Sequence, residues 1–197
     1  MNPRPLVAFV FMSAVLLFGV CDVAGQAVAE ARIADTRYRF VDVRYTRTNG
    51  VVLGGFYVGV PGNDEINAGA GYAFKRNALT LTPMLYAVIG REGEDGGLKV
   101  ALLATYERTG WKFVSFLGAF VPTSGTTASY LVLDTADLTR TIGKWELGLQ
   151  AGFFRSGESW DMQLDPLLKF NDAHGAWAVS SRLGEERVIR VGRVFVF

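Results

Sequence analysis

From about residue 37 to the end, apolar and polar residues alternate along this chain with a period of two. The stretch 144–155 is the clearest: one face carries large apolar side chains and the other carries glycine and polar side chains. The apolar face consists of Trp145, Leu147, Leu149, Ala151 and Phe153. Because successive side chains of a β-strand point to opposite sides, the pattern predicts strands with one apolar face each. No helical period competes with it, so we expect an all-β chain.

Turn-forming residues separate segments of about ten residues, the length that a tilted strand needs to cross a bilayer core. Eleven segments have strand character: 37–47, 51–60, 65–75, 78–90, 98–107, 111–121, 128–141, 145–155, 160–170, 176–183 and 187–197. Single-chain bacterial barrels have even strand numbers. The segment 128–141 alternates least regularly and has two interpretations: a short hairpin, which would give twelve strands, or one long strand that emerges into solvent. We therefore predict an antiparallel up-and-down transmembrane β-barrel of twelve strands, with ten or eight as alternatives.

The N-terminal region is typical of a secretory signal peptide. Arg4 precedes an apolar run from Leu6 to Val20 that only Ser13 interrupts, which suits a signal peptide and is short for a membrane-spanning helix. Small residues follow, and they predict cleavage after Ala29, with cleavage after Gly25 as the alternative. The expected organisation is a signal peptide over residues 1–29 and a barrel domain over residues 30–197.

The single cysteine, Cys21, lies before either cleavage site. Val20 precedes it where a lipoprotein signal requires a small residue, so lipidation is the less favoured interpretation. The mature chain would have no thiol for a disulfide, a nucleophile or a zinc site, and we expect no cofactor or metal. The chain has 20 basic and 19 acidic residues without a basic patch, which predicts no nucleic-acid partner.

The chain ends in RVGRVFVF, residues 190–197. Arg190 lies two positions before Gly192, and Phe195 and Phe197 alternate at the end. This motif resembles the C-terminal sorting signal of bacterial outer-membrane β-barrel proteins, a class rather than one family. The resemblance implies location in the bacterial outer membrane, with its lipids and the barrel-assembly machinery as partners. It implies no particular oligomeric state.

Alternation alone also fits a secreted soluble barrel that binds a small apolar ligand inside. Large aromatic residues at strand ends favour the membrane barrel, because aromatic girdles lie at the two membrane interfaces. These aromatic residues are Trp145, Phe153, Trp160 and Phe170.

Three residues fit a regular membrane strand poorly. Pro83 and Pro166 lie inside strand segments and predict bulges or breaks, because proline lacks a backbone donor. Arg193 shares the parity of Phe195 and Phe197, which would turn it toward lipid. It would then have to extend to the headgroups, unless a bulge changes its parity.

Charged residues on the polar faces are predicted to line a narrow lumen. Both signs occur, which favours internal ion pairs but also fits a weakly conducting pore. The candidates are Asp42, Arg44, Lys99, Glu107, Lys112, Glu146, Asp161, Asp165, Lys169, Arg182 and Arg190. If Phe197 is periplasmic, the connections 61–64, 91–97, 122–127, 156–159 and 184–186 face outside. All are short, and 91–97 is expected to be a flexible, solvated tip.

The alternative function that would require catalytic residues is an outer-membrane lipid-modifying enzyme, such as a deacylase. The only histidine, His174, lies in a predicted turn, and Ser180 and Ser181 follow without the spacing of a deacylase motif. Asp161 and Asp165 are separated by about 13 Å on a strand, too far for a glycosidase acid pair at about 5–9.5 Å. We therefore expect no enzyme, but a structural or weakly pore-forming barrel.

Overall fold

The computed structural model describes residues 25–60, 63–89, 96–124, 128–182 and 188–197. These residues form thirteen β-strands in one antiparallel sheet. The strands are β1 (Gly25–Ala34), β2 (Arg39–Arg47), β3 (Val51–Val60), β4 (Asn63–Tyr72), β5 (Phe74–Arg76), β6 (Leu79–Ile89), β7 (Gly96–Arg108), β8 (Trp111–Ser124), β9 (Tyr130–Ile142), β10 (Trp145–Ser156), β11 (Ser159–Asp172), β12 (Gly175–Arg182) and β13 (Val188–Val196). Within this part of the chain, no helix has the length and apolar character needed to span a membrane.

The sheet closes on itself. Strands that are neighbours in sequence pair with each other except β4 and β5, and β1 also pairs with β13. The seam extends to the C-terminus, where the Phe197 nitrogen donates to the Ala27 carbonyl at 2.9 Å. Both β4 and β5 pair with β6, so β5 continues β4 after a break at Ala73. The described residues thus form a closed antiparallel barrel of twelve strands plus one short extra strand, which confirms the predicted fold class and strand number.

The twelfth strand is β1, at the N-terminal side. Residues 130–142 form the single strand β9, so the prediction that this segment splits into a hairpin is wrong. Its alternation is irregular because of a bulge: the β8 partners pass from Thr135 directly to Leu133 and omit Asp134. The pairing with β10 shifts register at the same place. An extra residue in one strand reverses the parity of the residues beyond it.

Both prolines lie where a ladder of strand pairing stops. Pro83 in β6 keeps its register with β7, whereas the strand on its other side breaks at Ala73. Pro166 in β11 keeps its register with β10, whereas pairing with β12 begins only at Leu167. The breaks expected from the missing proline donor are therefore present, without bulges.

The barrel has two ends, a terminal rim and a far rim. The terminal rim holds Gly25, Phe197 and the turns at 48–50, 77–78, 109–110, 143–144 and 173–174. The far rim holds the turns at 35–38 and 157–158. The predicted outside connections other than 156–159 lie wholly or partly outside the described residues. At the terminal rim, Thr109 and Gly110 have positive φ angles of 51° and 77°, as a tight hairpin turn requires.

The barrel wall is apolar outside and mostly polar or aromatic inside. In β10, the outward Leu147 and Leu149 are each 48% exposed, whereas Glu146 and Gln150 on either side of them are 4% and 5% exposed. In β7, the outward Val100 is 60% exposed. This distribution of apolar and polar side chains is the reverse of that in a soluble protein, whose apolar side chains lie inside.

Candidate functional site in the barrel lumen

The lumen contains a cavity of about 420 Å³. Aromatic side chains line one part of it and charged side chains line another. The aromatic part comes mainly from β2, β3, β6 and β8, and the charged residues of the lining come from β1, β2, β4, β7, β9, β11 and β13.

The aromatic part is a packed cluster of rings around Phe56. Its ring centroid lies 5.2 Å from Tyr86, 5.6 Å from Phe116 and 5.8 Å from Phe40. Leu103 and neighbouring apolar side chains pack against these rings. The cluster fills part of the barrel interior and leaves the cavity beside it. Tyr86 is completely buried, and no described group forms a hydrogen bond with its hydroxyl.

Charged side chains also form a series of ion pairs along the wall, and of these side chains Arg190 lines the cavity. Lys112 lies 3.6 Å from Glu146, Lys169 lies 2.7 Å from Asp137, and Arg190 lies 3.1 Å from Asp165. Each pair joins strands that are two positions apart in the sheet. Because an unpaired buried charge is strongly destabilising, these pairs are what allows the charges to be inside.

Neutral polar side chains connect the ion pairs. Gln150 donates to Asp137 at 2.8 Å and accepts from the Ser180 hydroxyl at 3.2 Å. Asn171 and Thr139 donate to the two oxygens of Glu146 at 3.0 and 3.1 Å. Gln150 also accepts from Arg190 at 3.4 Å, so the Lys169–Asp137 and Arg190–Asp165 pairs belong to one network, which holds its members more rigidly than isolated pairs would.

Two contacts cross the lumen instead of following the wall. Arg32 in β1 donates to Asp134 in β9 at 2.6 Å. Tyr130, also in β9, hydrogen-bonds Glu65 in β4, and Glu65 forms an ion pair with Lys99 in β7. Lys99 is 2% exposed, and its ammonium lies 4.9 Å from the Phe56 ring centroid.

Most of the predicted lumen residues take part in these clusters. Ion pairs inside the barrel involve Asp42, Arg44, Lys99, Lys112, Glu146, Asp165, Lys169 and Arg190. Asp161 lines the cavity. Glu107 is solvent-exposed one residue before β7 ends at the terminal rim. The side chain of Arg182 lies outside the described part of the chain.

Sequence reasoning missed five charged residues of the lumen. Glu30 and Arg32 were missed because residues 25–34 were not interpreted as a strand. Asp134 and Asp137 were missed because a regular strand would place them on opposite faces, and Glu65 because it directly follows a predicted turn. The alternation of Ala29, Ala31 and Ile33 with Glu30 and Arg32 was the available signal for β1.

Arg193 lies on the outer face, as its parity predicted, and β13 has no register shift. Its guanidinium donates two hydrogen bonds to the Asp172 carboxylate, at 2.8 and 2.9 Å, near the terminal rim. Its guanidinium also lies 5.0 Å from the Trp177 ring centroid and 4.9 Å from that of Phe195. The arginine thus reaches along the wall toward the rim. Of the two arrangements expected from the sequence, this is the extended side chain, and no bulge changes the parity of Arg193.

The aromatic residues at strand ends lie at the two rims. Trp145 and Phe170 are in contact at the terminal rim, with centroids 4.9 Å apart. Phe153 and Trp160 are in contact toward the far rim, with centroids 6.2 Å apart. The apolar band between them has an aromatic group at each edge, the arrangement of a membrane girdle.

The residues of the predicted sorting signal have defined places in β13. Arg190 reaches into the lumen network, and the rings of Phe195 and Phe197 stack with centroids 6.2 Å apart. Gly192 pairs with Arg32, and a Cβ atom at Gly192 would lie 3.0 Å from the Arg32 Cγ atom. The glycine therefore leaves space for the arginine on the adjacent strand.

The structure assembles no group typical of a hydrolase from the residues considered. His174 is exposed in the 173–174 turn, where its backbone nitrogen donates to Asp172. Ser180 is buried in the wall and donates to Gln150. Among the described residues, no cluster of three or more histidine, cysteine, aspartate or glutamate side chains is arranged to hold a metal ion.

No protein-family model matches the sequence, and the comparison with curated proteins gives no match. Solved structures do match. The KdgM porin aligns with a TM-score of 0.63 and 12% identity, over 87% of this chain and 99% of that chain. The chain therefore shares the fold of that porin. The KdgM porin in complex with disordered oligogalacturonate aligns with a TM-score of 0.64 and the same identity and coverage. A structure from work on the in-meso crystallization of membrane proteins aligns with a TM-score of 0.56 and 11% identity. Identities this low establish the shared fold alone.

Proposed function

We propose that this protein is a small, non-enzymatic β-barrel of the bacterial outer membrane whose narrow lumen forms a weakly conducting pore. The observation that carries the proposal is the inverted polarity of a closed barrel that still holds a cavity. Apolar side chains cover the outside, and ion pairs and aromatic rings line the inside.

The outer surface supports the membrane location. Soluble monomers rarely expose contiguous apolar patches larger than a few hundred Å². Here the exposed apolar residues continue around the wall, for example Leu85 in β6, Val100 in β7 and Leu164 in β11, at 53%, 60% and 62% exposure. Lipid contact removes the cost of exposing this surface to water. The proposed lipid partners are those of the outer membrane.

The C-terminus supports the orientation and the assembly route. Phe195 and Phe197 stack at the seam with β1. We propose that the terminal rim faces the periplasm and that this end is recognised by the barrel-assembly machinery. The far rim would then face outside.

The lumen supports a narrow pore more than a wide one. Charged pairs and rings occupy much of the interior, and the cavity lining carries both acidic and basic groups. We therefore propose passage of small solutes.

Planar bilayer recording of the full-length protein, secreted and purified from outer membranes, tests the pore. We expect reproducible single-channel steps of low conductance. Folding is checked separately by gel electrophoresis with and without heating. A folded barrel resists the detergent until it is boiled, so its mobility changes on heating. A folded protein that produces no steps would contradict pore formation and leave a purely structural barrel.

The non-enzymatic part of the proposal is tested with labelled phospholipid and lipid A. We expect no product from the folded protein. Turnover that disappears in the His174→Ala variant would support the lipid-modifying alternative instead.

A further inference from the structure

We propose that the Arg32–Asp134 ion pair is the constriction of the lumen and sets the size of the solutes that pass. This inference rests on the proposed pore and adds to it the residues that determine its selectivity. It is carried by the path of the contact, the bulge in β9 and the support around Arg32.

The contact joins nearly opposite sides of the barrel. Counted along the sheet order β1, β13, β12, β11, β10, β9, the two strands are five positions apart in a ring of twelve. The Arg32 Nη2 to Asp134 Oδ2 distance is 2.6 Å, and the Tyr38 hydroxyl lies 3.4 Å from the other carboxylate oxygen. The wall pairs Lys112–Glu146 and Lys169–Asp137 span only two positions. The Tyr130–Glu65 contact also crosses the lumen but spans four positions, so Arg32–Asp134 joins the more nearly opposite strands.

The bulge in β9 is what places Asp134 in the lumen together with Asp137. These residues are three positions apart, and a regular strand would send one of them to the lipid face. The register shift between Leu133 and Thr135 adds one residue, so that both carboxylates point inward. Bulges commonly redirect a side chain beside a functional site.

Arg32 is held in its crossing position from both sides. On β13, Gly192 gives it space, since a Cβ there would lie 3.0 Å from its Cγ. On β2, the Phe40 ring centroid lies 3.9 Å from the guanidinium carbon. Glu30 lies 3.1 Å from Nε, and the arginine side chain is 11% exposed. A side chain supported in this way stays across the lumen.

The cavity lining includes both Arg32 and Asp134, so a solute that moves along the lumen passes beside this ion pair. The pair has no net charge, so it restricts size more than sign. Removing one partner widens the passage and leaves the other charge exposed to the solute. Because charged side chains in a pore determine whether it prefers cations or anions, the remaining charge should also change the ion selectivity.

The test is single-channel conductance, together with the exclusion of polyethylene glycols of graded size. We expect Asp134→Ala and Arg32→Ala each to raise conductance about twofold or more and to admit larger polymers. Reversal potentials should shift in opposite directions, toward anions in the first variant and toward cations in the second. Asp134→Asn keeps a hydrogen-bond acceptor for Arg32, so its conductance should stay close to that of the unmodified protein.

Lys169→Ala is the matched control, because it removes one partner of a wall pair and leaves the crossing contact intact. We expect a smaller change in conductance than in either crossing variant. Gel mobility before and after heating shows which variants are folded, and only folded variants are compared.

The outcomes separate this inference from the pore proposal. Steps in the unmodified protein that are unchanged in folded Asp134→Ala would overturn the constriction and leave the pore. Silence in the unmodified protein with steps in Asp134→Ala would support the constriction, in a barrel that the ion pair seals. Silence in both folded proteins would overturn both proposals.

Discussion

The buried ion pair between Glu65 and Lys99 leads to a quantitative prediction about folding. The side chains are 6% and 2% exposed. Replacing Glu65 by glutamine leaves the lysine ammonium without a counter-charge inside the wall, near the ring of Phe56. Breaking a buried pair by removing one partner costs about 3–5 kcal/mol. We expect Glu65→Gln to lower the free energy of unfolding by about this amount.

Removing the lysine charge instead of the glutamate charge should lower the free energy of unfolding by less. In Lys99→Met the carboxylate of Glu65 keeps hydrogen bonds from Tyr130 and Asn67, which offset part of the lost charge. The double variant replaces the pair with uncharged groups of similar size and should cost well under the sum of the single changes. The coupling energy should therefore be large.

The assay is equilibrium urea unfolding in lipid vesicles, followed by tryptophan fluorescence. The matched control is Lys112–Glu146, which is 3.6 Å apart with the lysine 36% exposed. Pairs that solvent reaches contribute about 0–1 kcal/mol, so coupling at this second pair should be small. Additive single changes at Glu65 and Lys99, or equal coupling in the two pairs, would refute the reasoning.

Two further predictions concern the interior and the N-terminus. Tyr86→Phe should leave the free energy of unfolding unchanged or raise it by up to about 1–3 kcal/mol, because the buried hydroxyl has no hydrogen-bond partner among the described residues; urea unfolding measures this, and a clear loss would show that the hydroxyl is satisfied. Intact-mass spectrometry of protein purified from outer membranes should show a chain beginning at Gln26. Cleavage after Ala29 would remove β1 residues that pair with both β2 and β13, and a chain beginning at Glu30 would contradict this prediction.

The strand number was predicted correctly for a partly wrong reason. Evenness required a twelfth strand, but the sequence placed it in the irregular segment 128–141. The structure places it at 25–34, where the small residues that suggested a cleavage site also form a strand face. The cleavage-site prediction and the observed strand rest on the same residues, because small residues are preferred at a signal-peptidase site and also fit the crowded seam of a barrel.

Alternation alone predicts strands that each have one apolar and one polar face, and it assigns the candidate charged residues to the polar face. A two-residue period needs only local geometry, since each side chain's face follows from its position in the strand. That is why Glu146, Lys169 and Arg190 were assigned to the interior before any contact was known. The same rule also placed Arg193 on the outer face.

Partners across the barrel depend on closure and register, which join residues 65 and 102 positions apart in the two crossing contacts. Nothing near Arg32 in the chain indicates Asp134, and nothing near Tyr130 indicates Glu65. The bulge in β9 depends on pairing with β8 and β10 together, and it changes which carboxylates face inward. Local alternation therefore specifies a barrel with a charged interior, whereas only the closed sheet decides which charges meet, because strand register brings distant residues together.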